Sequence, residues 1–165
     1  MKIKCFMTMM AAVAVVLGMS SCGSDDDNGA EAPVAVATQV EGSYSGNEVI
    51  MVMGEESSNE TKTYEFVKAS DTALDVTVPA SGESGMMMIP ALPVKNIPLT
   101  KSGDIITGKL DTYESKVSTA QGAEKNYTIS NLVVIFNDKT VAVTFSLKYG
   151  NMPMSMETNF AGEKK

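Results

Sequence analysis

The chain of 165 residues contains no His, no Trp and no Arg, so every one of its 13 basic residues is Lys. It has 2 Cys, Cys5 and Cys22, both near the N-terminus. Without His, no Ser-His-Asp or Cys-His catalytic group can be assembled from this chain alone. Zinc sites built from His or several Cys are excluded as well. The lack of Arg removes the planar bidentate clamp used for phosphate and carboxylate groups. Long hydrophobic runs are also missing. The one candidate, Phe6 to Met19 with interruptions at Thr8 and Gly18, falls short of the roughly 20 apolar residues that span a bilayer. The length suits one domain with a real core.

What stands at the N-terminus is an address. Lys2 and Lys4 precede the apolar run, and Met19-Ser20-Ser21-Cys22 follows it. This order reads as a signal peptide over 1–21. Small residues before a Cys resemble a bacterial lipobox, in which the Cys thiol takes a diacylglycerol and becomes the mature N-terminus. The usual Leu three residues before that Cys is replaced here by Met19. Cys22 is thus the expected lipid-attachment residue, and two or more acyl chains make such anchoring stable. The next residues, Ser24, Asp25, Asp26 and Asp27, resemble a signal that carries lipoproteins to the outer face of the outer membrane. Surface exposure there is the expectation, with the periplasm-facing leaflet as the alternative. Cleavage before Cys22 leaves 144 residues, in which 11 Lys against 20 Asp and Glu give −9. Such a chain is repelled by nucleic acid, so no nucleic-acid partner is expected. Residues 22–40 read as an acidic, flexible tether, extended over 29–40 around Pro33, and 162–165 as a short charged tail.

From Glu41 to Ala161 the chain reads as all-β. Apolar and polar residues alternate in short runs bounded by Gly, Pro, Asn, Asp and Ser, with no sustained helical period. Eight strands are expected, over 43–53, 61–69, 73–79, 86–98, 104–113, 126–136, 140–149 and 152–160, in an antiparallel meander closing as a barrel. A two-residue turn at Gly150-Asn151 would set Tyr149 against Met152, Leu147 against Met154, Phe145 against Met156, Val143 against Thr158 and Val141 against Phe160. Nearly all of these are apolar and share one face, and a one-residue slip would expose them. A turn at Asp138-Lys139 would set Phe136 against Val141, Val134 against Val143 and Leu132 against Phe145. The same register brings Ser130 and Thr128 to Leu147 and Tyr149, making one end of the inner face polar. It leaves Val133 and Ile135 outside, an apolar patch that needs cover. Lys148, Ser155 and Glu157 turn outward on the last hairpin, which argues against a transmembrane barrel with an apolar outer band.

Several groups of residues could carry chemistry. Met152, Met154 and Met156 on one strand face could offer thioethers to Cu(I), but pliable core filling explains them. Glu48, Glu65, Asp111, Glu114 and Glu157 are candidates for a carboxylate pair of the glycosidase kind. None lies in a motif, and solvated surface charge is the preferred reading. Asp25-Asp26-Asp27 lacks the spaced ligands of a calcium loop. Tyr44, Tyr64, Tyr113, Tyr127 and Tyr149 could stack on sugars, though strand aromatics usually pack inward with their hydroxyls paired at barrel ends. Asp71-Thr72-Ala73 matches a short bacterial O-glycosylation pattern at Thr72, which would require Thr72 to lie exposed in a turn.

The opening Gly42-Ser43-Tyr44-Ser45-Gly46, the Leu92-Pro93-Val94 stretch, Ser102-Gly103-Asp104 and the closing meander over 126–160 together resemble calycin-like β-barrel lipoproteins of Gram-negative gut bacteria. The resemblance implies a lipocalin-shaped barrel with room for a central cavity, and it brings no catalytic residues. The expected function is therefore non-enzymatic. A lipid-anchored envelope barrel would bind or carry a small apolar ligand, in a space lined by the inward residues from Leu132 and Val134 to Met154 and Met156. No metal or other cofactor is expected. The alternative is an interaction module that meets a protein or glycan partner through Val133 and Ile135. An unrecognised carboxylate enzyme is the third reading.

Overall fold

The computed structural model describes residues 34–82 and 88–165. The expected lipidation at Cys22 and the export signal at Ser24–Asp27 lie outside the described residues, as do Met86 and Met87. A short helix, α1 (Val36–Val40), precedes eight strands: β1 (Gly42–Val52), β2 (Glu55–Ser70), β3 (Ala73–Val78), β4 (Leu92–Ser102), β5 (Ile105–Ser118), β6 (Glu124–Asn137), β7 (Thr140–Tyr149) and β8 (Met156–Lys164). Each strand pairs antiparallel with the next, and β8 returns to β1 to close the barrel. Closure leaves no free sheet edge.

The inner face follows the period-2 rule. Tyr44, Glu48 and Ile50 of β1, Leu74, Val76 and Val78 of β3, and the alternate residues of β7 from Val141 to Tyr149 are all buried. Gly46 shares the inward row of β1 for a steric reason. A Cβ there would lie 1.9 Å from the Ala161 carbonyl oxygen on β8. The β1–β8 seam, where Gly46 pairs with Gly162, tolerates no side chain at this point.

Four connections are two residues long. Met53-Gly54 adopts positive φ at both positions (55° and 84°), the geometry of a tight hairpin turn. Asp138-Lys139 is a turn as expected, and Phe136 meets Val141 and Val134 meets Val143. Beyond that point the expected register fails. Asn131 takes a φ of 54°, and the pairing shifts between Ser130 and Val133. This bulge swings Ile129 against Leu147 and Tyr127 against Tyr149. Thr128 and Ser130 are therefore not on the inner face, and that end of the core is apolar and aromatic.

The last hairpin also departs from expectation. Gly150-Asn151 is not the whole connection, because β8 resumes only at Met156. Leu147 pairs with Met156, Phe145 with Thr158 and Val143 with Phe160. The displacement is two residues, so each side chain keeps its face. Pro153 accounts for the longer loop: in the expected register it would sit within a strand between two neighbours, where it has no N–H to donate. Met152 and Met154 are consequently loop residues. In β4 the strand begins at Leu92, after Pro90, rather than at 86.

Residues 36–40 are helical, not extended tether. The Val-Ala alternation there mimics a strand, but Ala37 and Val40 stand three apart, on one helical face, and both are buried. The helix stops the barrel end at which β1 starts. Tyr44 Oη donates to the Val40 carbonyl at 3.0 Å. The Ala37 amide donates to Asp71 O in the β2–β3 turn at 3.1 Å, and Lys101 Nζ donates to Gln39 Oε1 at 2.7 Å. Beneath it Tyr44, Phe66 and Phe136 form an aromatic cluster with centroids 5.0–5.6 Å apart.

Candidate functional site

Among the described residues, the opposite end carries no helix. There the β1–β2 turn, the described residues 79–82 and 88–91 of the β3–β4 connection, the β5–β6 turn and the β7–β8 loop surround a mouth. A cavity of about 590 Å³ opens there. Its lining combines apolar Ile50, Ile89, Met152 and Met156 with polar Ser57, Ser58, Asn59, Glu60 and Ser81. Ile50 and Met156 are the last inward residues of their strands, Met152 is brought over by the Pro153 loop, and Ile89 and Ser81 are joined by an isolated bridge across the β3–β4 connection.

Below the mouth lies Glu48, only 2% exposed. Tyr64 Oη donates to its Oε2 at 2.5 Å, and Ser81 Oγ donates to its Oε1 at 3.3 Å. Tyr64 is held in place by stacking on Phe160, with centroids 4.2 Å apart. Burial pushes the Glu48 carboxyl above its ordinary range, partly offset by the Tyr64 hydrogen bond, the Lys62 charge and Ser81. Burial and the Glu48 charge push the Tyr64 phenol far up, so Tyr64 keeps its proton and remains the donor. Lys62 Nζ lies 2.6 Å from Glu60 Oε2 and 3.1 Å from the Ala80 carbonyl. Lys62 and Ser58 hold the Glu60 carboxyl below its usual range.

Glu48 is a correction to the sequence reading, which placed it among solvated surface charges. Its position in β1 carries a weak signal, since Tyr44 and Ile50 share its parity. Val49 and Met51 on the other parity are apolar too, and that masks the signal. The other carboxylates, Glu65, Asp111, Glu114 and Glu157, are exposed. Glu157 bonds to Ser146 on the outer face, and Glu48 therefore has no carboxylate partner among them. Among the described residues no three His, Cys, Asp or Glu side chains gather as a metal site.

The expected cavity-lining residues divide into two groups. Leu132, Val134, Phe136, Val143, Phe145 and Leu147 point inward but belong to the packed core. Met152 and Met156 line the mouth, whereas Met154 is 45% exposed in the β7–β8 loop and contributes nothing to it. Tyr149 is 1% exposed, its hydroxyl has no protein partner, and the Lys125 ammonium stands 5.3 Å from its ring centre. Tyr127 donates to the Pro93 carbonyl. On the outer face, Val133 is half-buried and Ile135 is 41% exposed, beside Ala142 and Ala161 in a shallow depression. Thr72 lies exposed in the β2–β3 turn.

The family profile of the calycin-like β-barrel domain matches residues 40–163, which takes in β1 to β7 and all of β8 but Lys164. The chain belongs to the calycin-like β-barrel domain family. No curated protein matches this calycin-like chain. Among solved structures, it is similar to one named as a "putative outer membrane protein" from Bacteroides fragilis, with a TM-score of 0.63 and 18% identity. The match covers 79% of this chain and 53% of that one, so the calycin-like chain spans about half the length of its structural relative.

Proposed function

We propose that this calycin-like domain is a non-enzymatic barrel of the cell envelope, lipid-anchored through Cys22, that binds a small, partly apolar ligand at its mouth. The mouth cavity carries this reading. It combines Ile50, Ile89, Met152 and Met156 with hydrogen-bonding side chains above a packed core, the mixture typical of small-molecule sites. Met side chains adapt to ligands of varied shape. The ligand sits at the mouth rather than deep in the barrel, because the inward residues of β6 and β7 fill the interior. Envelope location, on the outer membrane and exposed to the medium, is supported by the lipobox-like segment and by the naming of the structural relative. Native mass spectrometry of the protein beginning at Ser24, with organic extraction of the same sample, is the test. A small molecule of defined mass, lost on Ile89→Glu, is the expected result. An apo mass with no uptake of added amphiphiles overturns the reading.

A second reading, an interaction module with a protein or glycan partner, rests on exposed Ile135 and the small-residue depression beside it. It is favoured if Ile135→Lys abolishes capture by an envelope partner while ligand uptake is undetectable.

A further inference from the structure

Methionine is distributed unevenly over the barrel. The described residues after Cys22 hold Met51, Met53, Met88, Met152, Met154 and Met156. All of them lie at the mouth end: Met51 near the end of β1, Met53 in the β1–β2 turn, Met88 in the β3–β4 connection, and the other three in or beside the β7–β8 loop. None is buried, and the buried hydrophobic residues, where a pliable core filler would belong, include no Met. The exposed large hydrophobics divide in the same way. Toward the α1 end they are Val34, Val67, Ile105 and Ile135, whereas at the mouth end they are Met53 at 79%, Met88 at 57% and Met154 at 45%. Adaptability to a ligand accounts for Met152 and Met156, which line the mouth cavity. It does not account for Met53 and Met154, which share a separate outer depression. One property separates a thioether from Leu or Ile of similar size: peroxide adds an oxygen to its sulfur.

From this placement we propose, resting on the reading of the mouth as a ligand site, that the mouth end is a reversible peroxide-modification site. Oxidation of Met152 and Met156 to sulfoxides closes the cavity to apolar ligands while the barrel stays folded, and the more exposed Met53, Met88 and Met154 react ahead of them. In each event the sulfur gives an electron pair to hydrogen peroxide. The O–O bond breaks, an S–O bond forms and water leaves. The product is polar, and methionine sulfoxide reductases return it to the thioether. An apolar tail that covers a bare sulfinyl oxygen is penalised. An oxygen that instead bonds to Ser57, Ser58 or Asn59 of the same lining takes up space the tail would fill. Either way the loss is about tenfold or more in affinity. The barrel survives because its core is packed by Ala, Val, Leu, Ile, Phe and Tyr, side chains that peroxide leaves intact. Met152 and Met156 meet that core only as partly buried neighbours.

The test uses the protein beginning at Ser24, with methyl NMR of Met152 and Met156 as mouth reporters. Decanoate, decylammonium and decyl maltoside are titrated in turn, and one that moves a mouth methyl signal is kept as the probe. Hydrogen peroxide is then added in steps, with peptide mass mapping at each step. Met53, Met88 and Met154 are expected to gain oxygen before Met152 and Met156. Probe affinity should hold through the first group and fall about tenfold or more with the second, while thermal unfolding stays cooperative. Sulfoxide reductases acting on both sulfur epimers should restore it. Met152→Leu/Met156→Leu keeps the apolar volume, Leu for Met being a tolerated exchange, and should bind the probe equally well before and after oxidation. Met53→Leu/Met88→Leu/Met154→Leu leaves the cavity lining intact and should lose affinity at a lower peroxide dose. Affinity unchanged once Met152 and Met156 carry oxygen overturns the inference while leaving the mouth a ligand site. So does an equal loss in Met152→Leu/Met156→Leu, or unfolding of the oxidised wild type. Failure of all three probes to move either methyl signal in the untreated protein overturns the ligand-site reading itself, and the inference with it.

Discussion

At the α1 end, the barrel is stopped by Ala37 and Val40 over the Tyr44–Phe66–Phe136 cluster, and the one buried hydroxyl there is paired to the helix backbone. At the mouth end, the corresponding depth holds Glu48 and Thr158, the two buried polar residues other than tyrosine among the described residues, beneath a cavity. The same eight strands thus carry one end built for packing and one that retains polar groups at a stability cost. Burying a carboxylate without a cation in contact is unfavourable, and such a cost is tolerated where it serves a site. A fully apolar barrel would be simpler to fold, so the buried polar groups set the mouth end apart from the packed end.

The contrast can be broken most forcefully at the packed end. Phe136→Ala removes the ring that touches both Tyr44 and Phe66 and should cost about 3–5 kcal/mol in denaturant unfolding, while Met152 and Met156 signals in the surviving native fraction stay in place. Gly46→Ala comes next, at about 3 kcal/mol, because the added methyl meets backbone on β8 rather than a movable side chain; urea midpoints read it directly. Tyr44→Phe removes the hydroxyl that ties β1 to α1 and should cost about 1 kcal/mol, with faster amide exchange confined to α1.

At the mouth the expected effect is a pH dependence. The native Glu48 carboxyl titrates above its ordinary value, so the folded protein holds this proton more tightly than the unfolded chain. Between the two values stability falls as pH rises. Thermal midpoints of the wild type should therefore gain on those of Glu48→Gln as pH is lowered through the native Glu48 titration. Parallel curves would show that Glu48 is not the desolvated acid described. The smallest effect belongs to Met154→Gln, within about 0.5 kcal/mol, since that side chain is exposed and lies away from the mouth cavity.

Much of the fold was legible because a barrel strand repeats every two residues. The pattern placed Phe136 against Val141 and Val134 against Val143, and it assigned the inward face of β7 correctly. The same periodicity hides a two-residue slip, since polarity is unchanged when Phe145 moves from Met156 to Thr158. Only the missing N–H of Pro153 distinguished the two registers. The Asn131 bulge was hidden for a related reason: Ser130 and Thr128 continued a plausible alternation, and a single non-Gly residue at positive φ leaves little trace in composition. α1 was missed because five residues make barely more than one turn and Val-Ala alternation imitates extended chain. The mouth was half legible. Met152 and Met156 were singled out, but for a deep cavity, and the polar lining escaped because charge on a strand ordinarily means solvent.

The seam between β1 and β8 has a practical consequence. Tyr44 pairs with Lys164 and the Lys165 amide donates to Ser43 O at 2.9 Å, so the chain enters and leaves the barrel side by side at the α1 end. A tag, a surface linkage or a fused reporter attached before α1 or after β8 is therefore delivered to the face remote from the mouth. Immobilised through either attachment, every molecule presents the same end to the solution, and a ligand screen on such a surface interrogates the mouth alone.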